Sequence, residues 1–128
     1  MKKNSKIALE RPIDRIKSIA QFYIDNGALA SMKNFEEACD LSSNYVKNLS
    51  ATQKGNPGVD VVAKIYRTFK GISLEYIILG EGEMFAIPWK DSLNAAREIG
   101  ENYKLTRSIR RMLKDKSKDE ILDIIKNM

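Results

Sequence analysis

Histidine is absent from this 128-residue chain, and cysteine occurs once, at Cys39. Without histidine there is no His metal ligand and no His general base, and a lone cysteine forms no internal disulfide. With these groups missing the chain is expected to be no enzyme and to hold neither metal nor cofactor. Long apolar runs are lacking too. No stretch approaches the roughly 18 residues of a membrane span, and the opening MKKNSKIALERP has no core for a secretory signal. The expectation is a cytoplasmic protein with no membrane contact. No run alternates apolar and polar residues as a half-buried strand does, and neither a repeat nor a low-complexity segment occurs. The expected fold is therefore all-α.

What is present suits one soluble domain with an extension. Apolar residues are 43% of the chain and charged residues 30%, enough to build one core and to solvate its surface. The 22 basic and 17 acidic residues leave a net +5, and its placement is uneven. Lys2, Lys3, Lys6, Arg11, Arg15 and Lys17 face only Glu10 and Asp14 near the N-terminus. Lys104, Arg107, Arg110, Arg111, Lys114, Lys116 and Lys118 face Asp115 alone. Such runs are either solvated helix faces or the footprint of a polyanionic partner.

Apolar spacing of three and four marks the helices. Ile13, Ile16, Ile19, Ala20, Tyr23 and Ile24 make the first, stopped by Asn26-Gly27. Ser31 is placed to cap a short second helix bearing Phe35, Ala38 and Cys39, which breaks at Asp40. Ser42 is placed to cap a third, 43–51, with Val46 and Leu49 on its apolar side. A loop follows to Gly58, then a fourth helix with Val61, Val62, Ile65, Tyr66 and Phe69, ending at Gly71. Ser73 caps a fifth, Leu74 to Leu79, ended by Gly80. Beyond Pro88 come longer, more charged helices, with Gly100 as a candidate kink or break and Ser117–Glu120 in capping-box spacing. Gly80 and Gly82 have no preceding strand and read as turn glycines. Asp119, Glu120 and Asp123 form no carboxylate pair suited to acid–base work.

Helices two and three, joined by a tight turn, have the form of a helix-turn-helix unit. Counted from Met32, the fourth, eighth, tenth, fifteenth and eighteenth positions should be buried, and they are Phe35, Cys39, Leu41, Val46 and Leu49. A chain 43% apolar fills five given positions by chance in about one or two windows per hundred. On the stretches FEEACDLSSNYVKNL (35–49) and SLEYIILGEGEMF (73–85), residues 13–85 resemble the lambda-repressor and Cro family of helix-turn-helix transcriptional regulators, also called the xenobiotic-response-element type. Three positions depart from its pattern: Asp40 where the turn usually has glycine, Glu36 where a small residue is common, and Met32 where glutamine often bonds phosphate. Asp tolerates the left-handed conformation such a turn needs.

The chain divides into three parts: a basic arm over 1–12, marked by its charge; a five-helix DNA-binding domain over 13–86, which the resemblance implies; and a helical extension over 87–128, whose apolar stripes suggest that it dimerises or docks a partner. The resemblance implies a cytoplasmic repressor that binds double-stranded DNA as a homodimer and inserts helix 43–51 into the major groove. Ser43, Asn44, Lys47 and Asn48 would meet base edges, the two asparagines with most discrimination because Asn pairs bidentately with adenine. Lys33, Ser42, Thr52, Gln53 and Lys54 would meet phosphates, and Tyr45 is read as packing. The alternative class is a protein-interaction module, antitoxin-like or adaptor, with DNA contact secondary or lost; Met32 is the feature that favours it.

Overall fold

A proline in the first turn, where its missing N–H costs nothing, opens α1 (Pro12–Asp25), whose Ile13, Ile16, Ile19, Ala20 and Tyr23 form one buried stripe. The structure, a computed structural model, describes residues 11–52, 54–114 and 118–128, the side chains of Lys118 and Ile121 excepted. The arm lysines Lys2, Lys3 and Lys6, the expected phosphate contact Gln53 and the expected cap Ser117 lie outside the described residues. After α1 come α2 (Met32–Ala38), α3 (Tyr45–Ala51), α4 (Val59–Thr68), α5 (Leu74–Leu79), α6 (Trp89–Lys114) and α7 (Lys118–Lys126). The described residues are all-α, as expected, and their only β-type pairing is an isolated bridge between Ile72 and Phe85. No described helix is long and apolar enough to cross a membrane.

The α1 stripe meets Phe35, Val46, Ile65, Phe69, Ile72 and Ile77 in a single core. Phe69 stacks on Phe35 with ring centres 5.2 Å apart and on Tyr23 at 4.9 Å. Cys39 is buried in this core, and burial pushes its thiol up to about 12, so it is a packing residue and not a nucleophile. The core does not stop at residue 86, because Leu93 and Ala96 of α6 belong to it. The Ser92 hydroxyl donates to the Lys70 carbonyl at 2.8 Å and is left to accept from the Tyr23 hydroxyl, also 2.8 Å away. One buried hydroxyl thus ties α6 to α1 and to the segment that follows α4.

Arg15 corrects a reading based on charge alone. It is buried in α1; its Nε donates to the Ile77 carbonyl at 2.9 Å and a terminal nitrogen to Ile78 at 3.3 Å. These carbonyls belong to the last turn of α5, where a cation is favoured by the helix dipole and the free C=O groups. Arg15 is therefore a structural tie, not part of a cationic surface.

Gly100 is a second correction. The helix does not break there: α6 runs unbroken for 26 residues. Gly100 is instead the point where α6 touches the α1–α2 loop, for a Cβ on it would run into the Ala28 carbonyl oxygen. Helix propensity favours alanine over glycine by about 1 kcal/mol, but a backbone oxygen cannot rotate away as a side chain can. The clash should win. Gly100→Ala is expected to lower the thermal midpoint, measured by circular dichroism; an unchanged or raised midpoint would contradict this packing.

Candidate nucleic-acid interface

Local signals define α2 and its exit. The Ser31 hydroxyl accepts from the Asn34 N–H at 3.3 Å, the expected N-cap. The chain then turns through Asp40 at φ 59°, the left-handed conformation anticipated for it. Leu41 N–H returns to the Glu36 carbonyl at 2.9 Å, and the Lys64 ammonium donates to the Asp40 carbonyl at 3.1 Å while lying 3.7 Å from its carboxylate. Of the five positions expected to be buried, Phe35, Cys39 and Val46 are fully so; Leu41 and Leu49 are half-buried against the same core.

The third helix begins two residues later than its composition suggests, at Tyr45, with Asn44 as its N-cap residue at φ 62°. Ser42 does not cap it. The carboxylate of Glu36, 3% exposed, accepts from the Asn44 N–H at 3.2 Å and from the Val46 N–H at 3.0 Å. An acceptor on α2 therefore serves the free donors that open α3. Glu36 thus does the capping that Ser42 was expected to do.

With Val46 turned inward, the opposite side of α3 is open. Ser42, Ser43, Asn44, Lys47 and Asn48 are all exposed, and Asn44, Lys47 and Asn48 follow the three-and-four spacing of one helix face. This face offers hydroxyl, amide and ammonium groups. Lys33 is exposed at the first turn of α2, and Lys54 is exposed beyond α3. Thr52 differs: its hydroxyl lies 2.7 Å from the Leu49 carbonyl and 2.5 Å from that of Lys54, so its proton is committed within the chain. Tyr45 is half-buried against the core, and its hydroxyl is pushed up by burial and then by Asp60, which fits packing. Met32 packs there as well.

The roles of two residues were not visible in the sequence. Glu36 stood out only as a departure from a pattern and its capping role was missed, though a carboxylate beside Phe35 on a buried stripe signals that a partner must exist. The other is Arg11, counted with the arm. Its guanidinium donates to the carbonyls of Thr52 at 2.8 Å, Gly55 at 3.0 Å and Leu49 at 3.2 Å, pinning the end of α3 to the start of α1. Nothing in the spacing of Arg11 marks it out from Lys2, Lys3 or Lys6.

No family model, curated protein or solved structure matches the chain.

The Glu36 bonds carry a stability prediction. Glu36→Ala orphans two N–H donors near the core and is expected to cost about 2–4 kcal/mol in urea denaturation, whereas Glu36→Gln, keeping one acceptor oxygen, should cost about 1–2 kcal/mol. Equal stability of Glu36→Ala and the parent would contradict the capping role.

Proposed function

We propose that the protein is a sequence-specific DNA-binding regulator of transcription, a cytoplasmic repressor whose residues 13–86 act as a lambda-repressor-like five-helix domain. One observation carries the reading: two short helices joined by a tight turn, the second buried along Val46 and presenting Asn44, Lys47 and Asn48 to solvent. A helix so mounted fits the major groove, where asparagine reads adenine through N6 and N7 and lysine reads guanine or a phosphate. Ser43 adds a weaker base contact, and Lys33, Ser42 and Lys54 flank the face as phosphate contacts. The reading extends to a homodimer. On α6, Leu105 and Met112 are 60% and 58% exposed and Ile109 39%, an apolar stripe at heptad spacing; on α7, Leu122 and Ile125 are also exposed. A second copy covering them would place two recognition helices on one duplex.

The test is selection of duplexes from a random pool followed by binding of variants. The left-handed backbone at Asn44 decides which variant is informative, since alanine would add strain there while glycine removes only the side chain. Asn44→Gly and Asn48→Ala are each expected to weaken binding to the selected duplex about tenfold or more, with little change in melting. The selected site should contain two half-sites related by a two-fold axis. A wild-type protein that binds no duplex at low salt would overturn the reading in favour of a protein-interaction module.

A further inference from the structure

The two ends of α6 use the same side of the helix for opposite purposes. At about 100° per residue, Ser92, Leu93, Ala96, Ile99, Gly100 and Tyr103 fall within an arc of about 120°, and these are the residues turned toward the body of the protein. Continued past Tyr103, that arc holds Arg107, Arg110, Arg111 and Lys114. The apolar Leu105, Ile109 and Met112 lie on the far side of the helix. The amphipathic pattern therefore inverts halfway along an unbroken helix. A core-facing stripe becomes a cationic one, still on the side that faces α2.

The cationic stripe meets α2 at its outer face. Lys33, Glu37, Tyr103, Arg107, Arg110, Arg111 and Lys114 line one groove of about 250 Å³. The Arg107 guanidinium sits 5.7 Å from the centre of the Tyr103 ring, and Arg110 is 3.8 Å from Glu37. Five cations against one carboxylate leave this groove a net +4. Like charges held this close repel one another, and among the residues that line the groove only Glu37 relieves the repulsion.

Resting on the DNA-binding reading above, we infer that this groove is a phosphate clamp: the distal half of α6 grips the DNA backbone beside the turn of α2 that carries Lys33. The helix then has two jobs, one on each side. Its cations extend the backbone contact beyond the helix-turn-helix unit, and its apolar stripe stays free for a second copy. Because guanidinium and ammonium groups on phosphate carry no base code, the clamp adds affinity and salt dependence without altering which sequence is read.

The experiment compares the wild-type protein with the variant R107Q/R110Q/R111Q/K114Q on a duplex selected by the wild type, across a salt series. Every phosphate that the variant no longer neutralises should reduce the slope of log affinity against log salt by about 0.9, so the variant should show a slope shallower by about 3 to 4. Its order of preference among duplexes should stay the same, and hydroxyl-radical protection should vanish only from backbone positions flanking the half-site. The variant R107K/R110K/R111K, which keeps every charge, should retain the wild-type slope, and circular dichroism of both variants reports that α6 is intact. A glutamine variant with the wild-type slope and footprint would overturn the clamp while leaving the DNA-binding reading standing. A wild-type protein that selects no duplex would overturn that reading and the clamp with it.

Discussion

The angle between α2 and α3 depends on one buried carboxylate. Glu36 lies on the inner side of α2 and reaches across the turn to the N–H groups of Asn44 and Val46. Burying a charge costs several kcal/mol unless its oxygens are satisfied. Here both oxygens accept, and the donors are ones that would otherwise be left open at the start of a helix. Charge-assisted bonds of this kind contribute roughly 1.5–3 kcal/mol each, enough to offset the burial and to fix where α3 begins. Everything offered to solvent from Ser42 to Asn48 takes its direction from that start. Arg11 holds the other end, so a helix of 7 residues, too short to persist alone, is clamped at both termini.

A similar division of labour governs α6. Its first half completes the core through Leu93 and Ala96, and Gly100 lets it approach the α1–α2 loop closely enough to run on beside α2. Rigid packing in the first half therefore sets the position of the charged second half. A basic run that composition alone reads as either a solvated face or an anion site becomes a groove shared with Lys33. The interface region and the extension are thus mechanically one unit, since α2 carries Glu36 on its inner side and meets α6 on its outer side.

Much of the fold was legible because its signals are local. Ser73, the apolar run to Leu79 and Gly80 gave the limits of α5, and Ser31 gave the start of α2, because hydroxyl caps and left-handed glycines act within one turn of chain. Asp40 in a left-handed turn was anticipated through the resemblance, which puts it where such turns usually have glycine. The start of α3 was not, because its cap comes from Glu36, eight residues upstream, and Ser42 is an equally good cap on paper. Gly100 misled because a glycine that breaks a helix and one that admits a neighbour's backbone look alike in a string of letters. Arg15 and Arg11 misled because counting charges does not reveal which cations are spent on carbonyls inside the fold. Of the candidate site, the exposed face of α3 was legible from the positions of Val46 and Leu49, whereas the cationic groove was not, since it joins α2 to residues of α6 far along the chain.

The surface from Ser43 to Asn48, oriented by Glu36, is proposed to lie in a groove of duplex DNA. The most direct test of that placement is titration of the isotope-labelled protein with a selected duplex while backbone amide shifts are followed by NMR. The account predicts the largest shifts at Ser43 to Asn48, with Lys33 next. Saturable binding whose shifts fall on α5 or α7 and leave residues 43–48 unmoved would contradict it.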